Sequence, residues 1–363
     1  MSNIIVGLDI GTSFVRTVIG EIVDDGSIEI VGVARKPSSG LRNGVIVNLE
    51  TTEKCIREVI EEAEQRAGYE VVTCFTGIGG MQIESMDSTG IVAVAQRGRS
   101  SREISQSDIK RVHEAANAVQ IPMDRQMLHL IPQEYIVDGI GGYKDPLNML
   151  AVRLESKVHI ITASKTAIQN ITACVERARY SLGGVMLKTL ACSEAVMNQD
   201  EKNLGSILID LGGGTTDVLV VVDDAPVCTC SIPVGGNLVT NDIAIVKGIS
   251  TEVAERIKIE NGCCWLEMLD HDEEVIIPGV GGRGPEAISR AELCQIIEPR
   301  MEEIFTMVRD EIIHKTNLTQ LSGNIILTGG GAQMLGAVEL AQTVFGTSAV
   351  KVGICGNLGG IEE

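Results

Sequence analysis

Two short stretches place an aspartate ahead of a turn rich in glycine and hydroxyl groups. Asp9 is followed by Gly11, Thr12 and Ser13, and Asp210 by Gly212, Gly213, Gly214, Thr215 and Thr216. An apolar run, residues 4–9 or 207–210, brings each carboxylate to the end of a strand. The glycines bend the chain so that backbone N–H groups face outward, with no Cβ in the way of a phosphate. Hydroxyls of Thr12, Ser13, Thr215 and Thr216 add donors. A carboxylate beside phosphates repels them unless a divalent cation sits between, so Asp9 and Asp210 are expected to hold a Mg²⁺ that keeps most of its waters. A third glycine run, Gly329-Gly330-Gly331, lies between an apolar strand (324–328) and a helical pattern (334–345). Its amides are expected to face the same nucleotide from a helix start.

One such turn would read equally well as a tight hairpin with an aspartate cap. The surroundings favour phosphate, because they repeat. After the first turn, residues 14–23 form a strand pattern, Asp24-Asp25-Gly26 a turn signal and 27–34 a returning strand. After the second, 217–222, Asp223-Asp224-Ala225-Pro226 and 227–232 do the same, about 200 residues later. The elements between them are mixed helix and strand. Residues 51–67 put Cys55, Ile56, Val59, Ile60 and Ala63 on one helix face, with Gly68 as the stop. Residues 71–76 and 158–162 read as buried strands. The segment from 83 to about 157 breaks this pattern, with a helix at 108–119 behind a Ser105/Asp108 capping box and a strand at 128–137. It is expected to be an insertion. Residues 240–262 and 289–314 are helical patterns in the second half.

Further side chains suit a nucleotide. Glu255 and Lys258 fall three apart on one helix face, where Glu255 would meet a ribose and Lys258 a base. Glu194, 16 residues before Asp210, could orient an attacking water.

Composition narrows the classes. A chain of 363 residues is expected to divide into two or more domains. Its hydrophobic share is 44% but its aromatic share 2%, so the cores are aliphatic and stacking platforms for single-stranded nucleic acid are scarce. Lys+Arg 30 against Asp+Glu 49 gives a net charge of −19, which repels a phosphate backbone; nucleic acid is not an expected partner. The first residues, MSNIIVGLDIGTS, read as a strand and not as a signal peptide. No apolar run is long enough to cross a bilayer. The ten cysteines form no metal-binding spacing, and reduced buried thiols in a cytosol are expected.

The paired phosphate turns and the third glycine loop resemble the superfamily of actin, heat-shock chaperones and sugar kinases. Within it, the sequence is most similar to the FtsA family of bacterial cell-division proteins. The similarity rests on GLDIGTS at 7–13, DIKRV at 108–112, LHLIPQEYIVD at 128–138, VRLE at 152–155 with His159, SEAV at 193–196 and DLGGGTTD at 210–217. PVGG at 233–236, AERIKIENG at 254–262 and IEPR at 297–300 complete it. The phosphate turns identify only the superfamily; the stretches at 128–138 and 153–159 point to FtsA. The resemblance implies an α/β, actin-like fold, a ribonuclease H-like duplication with two lobes around a nucleotide cleft and an inserted α+β subdomain in the first lobe. It assigns 1–82 and 159–192 to a first core subdomain, 83–158 to the insertion, 193–238 and 305–363 to a second core subdomain, and 239–304 to its outer part. It also implies ATP and Mg²⁺ as ligands, Gly235 and Gly236 in the nucleotide site, self-association into filaments, and at most slow hydrolysis. The implied partners are the C-terminal peptide of FtsZ, through Arg300, and later division proteins, through the 83–158 insertion. The implied place is the cytoplasmic face of the membrane at the septum. A small-molecule kinase or a chaperone-type ATPase would use the same turns, but no segment marks an acceptor cleft or a peptide-binding domain. Two departures stand out. The family reads Asp-Pro-x-Gly-Met-x-Gly before VRLE, and this chain has DPLNMLA at 145–151. The basic amphipathic C-terminal helix of the family does not follow Gly360, and truncation is the expected reason.

Overall fold

The computed structural model describes residues 3–24, 26–95, 101–269, 273–279, 284–316, 323–356 and 358–360. Asp25 of the first turn signal and the terminal residues 361–363 lie outside them.

The sequence repeat is a structural repeat. The first sheet runs in the order Ser181–Leu187, Thr73–Ile78, Ile4–Ile10, Phe14–Ile22, Ile28–Pro37, Leu358–Gly360. The second runs Val350–Val352, Ile325–Thr328, Ser206–Leu211, Thr216–Val222, Ala225–Ile232. In each, the strand carrying the aspartate is antiparallel to the next strand in sequence and parallel to a later one. Asp9 stands opposite Arg16, and Asp210 opposite Asp217. The turns match atom for atom: Gly11 N–H donates to the Phe14 carbonyl at 3.0 Å, and Gly212 N–H to the Thr215 carbonyl at 3.0 Å. A Cβ at either glycine would lie 2.7 or 2.8 Å from that same oxygen, so close approach demands glycine at both.

Helix Leu49–Ala67 closes one face of the first sheet. Asn48 caps its start by accepting from Thr51 N–H, and Gly68, at φ 72°, ends it by donating to Glu64. Its buried residues include Cys55, Ile56, Val59, Ile60 and Ala63, the face that the spacing predicts. The second sheet is covered on both faces. Phe305, Val308 and Ile312 of the long helix Arg290–Thr316 share a core with Ile209 and Val218, while Leu208 and Leu219 of the other face pack with Leu190 and Val196.

One strand assignment changes. Residues 158–162 belong to Arg153–Ser164, which is central in a separate four-stranded antiparallel sheet with Ile140–Tyr143, Arg125–Val137 and Ile83–Ala93. The strand beside Thr73–Ile78 in the first sheet is Ser181–Leu187. Arg153–Ser164 is covered on both faces, by helix Gln106–Ala116 on one and the second lobe on the other, which buries the 158–162 stretch. The capping box forms: Ser105 N–H donates to the Asp108 carboxylate at 3.0 Å. Asp108 is fully buried and receives both terminal nitrogens of Arg102 at 2.7 Å, and Arg111 besides. In the departing loop Asn148 takes φ 64°, the left-handed value a glycine would take, while Ala151 sits in a short strand paired with Arg102.

The inserted sheet docks on the second lobe. Buried His159 lies with Nδ1 2.7 Å from Asp87 Oδ1 and Nε2 3.2 Å from Thr229 Oγ1. Ser85 Oγ donates to the Thr229 carbonyl at 3.1 Å, and Gln133 to that of Pro226 at 3.0 Å. The 240–262 pattern divides at Gly248, φ 63°, into helices Gly236–Lys247 and Thr251–Asn261. Two crossings join the lobes. Helix Lys188–Val196 leads from the first sheet to the second, and the chain returns from Val350–Val352 to Leu358–Gly360, which pairs in parallel with Ile28–Pro37. The crossings touch where Gly356 N–H donates to the Ala195 carbonyl at 3.2 Å.

Candidate phosphate-binding cleft

A cavity of about 450 Å³ opens between the lobes, and both aspartates and both glycine turns line it. The turns face each other at close range. A Cβ on Gly213 would lie 2.0 Å from Ser13 Oγ, and one on Gly214 2.9 Å from Thr12 Cγ2. The tip of a small hairpin, Asn43-Gly44, sits beside both: Gly44 N–H donates to Thr12 Oγ1 at 2.9 Å, and the Gly44 Cβ position is 3.6 Å from Thr215 Cγ2. Asp217 links the lobes directly, accepting from Gly80 N–H at 2.9 Å and from Thr215 Oγ1 at 3.3 Å. Gly235 and Gly236 start a helix against the second turn, with Gly236 N–H donating to the Gly212 carbonyl at 2.9 Å.

The charges are asymmetric. Asp9 Oδ1 accepts from Lys188 Nζ at 2.6 Å, and Oδ2 lies 3.3 Å from Arg16. Burial alone would raise the Asp9 carboxyl, but Lys188 and Arg16 outweigh it and hold it below its ordinary value. Burial alone would lower Lys188, and the charges of Asp9, Asp210 and Asp217 raise it instead. The Asp210 carboxylate accepts no hydrogen bond among the described residues. Burial and then the charge of Asp217 push its carboxyl up to about 6, against the pull of Lys188. An unpartnered carboxylate facing a second carboxylate suits a divalent cation, whose charge would settle both. Among the described residues no group of three or more His, Cys, Asp or Glu converges on one point. The donor set fits a Mg²⁺ completed by water and phosphate oxygens, reached through Asp210 first, because Asp9 is engaged by Lys188.

Most of the residues singled out above come together here. Gly11, Thr12, Ser13, Gly212, Gly213, Gly214, Thr215, Gly235, Gly236, Glu255, Lys258, Gly329, Gly330 and Gly331 all line the cavity. Glu255 pairs with Lys258 at 2.6 Å, and Lys258 also donates to the Gly236 carbonyl at 3.1 Å. The third glycine run does not open a helix. It enters a 3₁₀ turn, Gly330–Gln333, and the helix Ala337–Phe345 begins later. Gly329, at φ 80°, is placed where a Cβ would be 2.4 Å from Asp210 Oδ1.

Three of the singled-out residues do not line the cavity. Thr216 is fully buried and its hydroxyl donates to the Val234 carbonyl at 2.9 Å, so it turns away from the cleft. Glu194 does not line the cavity; its side chain is 72% exposed and pairs with Lys202 at 2.8 Å, because it lies on the outer side of its helix. Arg300 is no free guanidinium: Nε and Nη2 engage the Asp242 carboxylate at 2.6 and 3.1 Å, and Nη1 meets Glu303. Sequence reasoning missed Lys188, Arg16, Asp217 as a site residue, and the Asn43-Gly44 tip. Asn-Gly is by itself a hairpin signal that could have found the last.

The sequence profile described as "Cell division protein FtsA" matches residues 207–359, and that of an "SHS2 domain inserted in FTSA" matches 80–162. The cell division protein FtsA of Pseudomonas aeruginosa is 42% identical over 361 residues, which are 99% of this chain and 85% of that protein. The chain belongs to the FtsA family of cell-division proteins. FtsA membership accounts for the interruption of the first lobe, since the matched insert spans the four-stranded sheet. Solved structures share the fold at low identity. A PilM–PilN type IV pilus biogenesis complex covers 96% of this chain and 87% of its own at 16% identity and a TM-score of 0.67. MreB5 of Spiroplasma citri bound to ADP covers 97% and 92% at 13% identity and 0.57. This FtsA-family chain has the actin-like fold.

Proposed function

We propose that the chain binds Mg²⁺-ATP between its lobes and uses it as a conformational ligand while linking FtsZ to the membrane during division. The observation that carries this reading is the pair of glycine turns, equivalent by duplication, meeting face to face across the cleft with one aspartate behind each. Backbone amides would bind the phosphates, Asp210 and more distantly Asp9 would hold Mg²⁺ through water, and Glu255 and Lys258 would line the nucleoside end. The metal would supply charge neutralisation between carboxylates and phosphates. Titration with a fluorescent ATP analogue tests the site. Asp210→Ala should lose at least tenfold in Mg²⁺-dependent affinity, and equal affinity would remove Asp210 from the metal.

On this reading the partners are the C-terminal peptide of FtsZ, neighbouring copies in a filament, later division proteins on the 83–158 insertion, and the inner membrane surface through an amphipathic helix of the family. The four subdomain assignments given above describe the parts that would move against one another. Arg300 would receive peptide carboxylates in exchange with Asp242, a charge-assisted pairing well suited to a guanidinium. Arg300→Glu should weaken an FtsZ tail peptide at least tenfold in fluorescence anisotropy while ATP binding is kept. Unchanged peptide affinity would take Arg300 out of the contact.

A further inference from the structure

Lys188 is built into the cleft by residues far from it in sequence. It is the first residue of helix Lys188–Val196 and follows the strand Ser181–Leu187. Its stem crosses Gly77, in the adjacent strand Thr73–Ile78, and Gly79 just after it. A Cβ at Gly77 would lie 2.6 Å from Lys188 Cγ, and one at Gly79 3.5 Å from Lys188 Cδ. Glycines at both positions therefore leave a groove for the stem. The ammonium emerges 2.6 Å from Asp9 Oδ1 and 2.9 Å from the Ile10 carbonyl, at the first turn, and lines the same cavity as Asp210 and Asp217. Asp9, Asp210 and Asp217 thus all lie around this ammonium, while Arg16, the second cation on Asp9, stands at the exposed edge.

We propose that Lys188 is a phosphate-binding residue, a resident cation that leaves Asp9 to donate to the terminal phosphate of a bound nucleoside triphosphate. This rests on the nucleotide reading of the cleft. The cavity offers the phosphates amides and hydroxyls from two turns but surrounds them with carboxylates, and a nearby ammonium is the protein's own means of offsetting that repulsion. Asp9 then acts as the parking place for the ammonium when no phosphate is present. Two consequences follow that a purely structural ion pair does not share. Triphosphate binds measurably without a divalent metal, and loss of the Asp9 charge strengthens that metal-free binding, because the ammonium no longer has to be withdrawn from a partner.

The test is the affinity of the full chain for fluorescent ATP and ADP analogues, with Mg²⁺ and with EDTA. Lys188→Met keeps the stem and removes the charge. It should weaken ATP in EDTA about tenfold or more, the worth of a charge-assisted hydrogen bond, and ADP much less. Asp9→Asn should shift ATP in EDTA the other way. Gly77→Ala, which blocks the stem and leaves every charge in place, should reproduce the Lys188→Met loss. Circular dichroism confirms that each variant is folded, and three variants at separate positions keep the outcome readable if one is not. Equal ATP affinity of Lys188→Met and wild type in EDTA overturns the role of Lys188 while leaving the nucleotide site intact. So does weakened metal-free binding in Asp9→Asn. A wild-type chain that binds ATP under neither condition overturns the nucleotide reading and this role with it.

Discussion

At the scale of single residues the cleft is a problem in charge. Cross-strand register sets Asp210 opposite Asp217, and burial then makes two neighbouring carboxylates costly. The Asp210 carboxyl is pushed up to about 6, so the folded chain binds its proton more tightly than the unfolded chain does. The stability it contributes is complete below the unfolded value near 3.8 and is lost as pH rises through 6. Asp210→Asn should therefore raise the melting temperature of the nucleotide-free chain at pH 7.5, by a few degrees for roughly 2 kcal/mol. The gain should shrink toward zero near pH 4. Melts of both chains across that range check it, and an equal gain at pH 4 and 7.5 would locate the effect elsewhere. The aspartates, glycines and hydroxyls of the turns were legible because they occur twice. Lys188 was not, because the direction of its stem is set by Gly77 and Gly79, more than a hundred positions earlier.

At the scale of elements, what was legible was local chemistry. Helix Leu49–Ala67 announces its end through Gly68 and its buried face through spacing, and the Ser105/Asp108 box announces a helix start. Ser181–Leu187 escaped because Gly183 and Gly184 dilute its apolar signal, and a register shift falls between Leu182 and Gly184. The same capping residue carries the next prediction. Hydrogen bonds from Arg102 first, and from Ser105 and Arg111, hold the Asp108 carboxyl well below the usual carboxylate range. Its contribution is present above the unfolded value near 3.8 and disappears as pH falls below it. Asp108→Ala should cost about 2–3 kcal/mol at neutral pH, less than a fully buried pair because both arginines are partly exposed. Denaturant titration measures it. A loss under ~0.5 kcal/mol would mean the arginines find water at no penalty.

At the scale of the whole molecule, the insertion is tied to both lobes. It belongs by sequence to the first lobe, and through His159, Ser85 and Gln133 it holds the edge strand of the second. Composition says nothing of such a seam, since a histidine among strands is equally at home in a core. Thr229→Val removes the hydroxyl facing His159 at nearly constant shape. Amide hydrogen exchange should quicken in Ile83–Ala93 and Ala225–Ile232, with the phosphate turns unaffected. Unaltered exchange in those strands would show that Ser85 and Gln133 hold the seam alone.

The two crossings between the lobes run side by side and are stitched by the Gly356–Ala195 hydrogen bond. Mechanically this is a flat strap and not a single pivot. A strap folds readily across its width but resists shear and twist, so the motion it favours is a page-like swing, which the His159 seam and the Asp217–Gly80 contact would hold shut. Any such swing would bring the two phosphate turns back together in the same alignment.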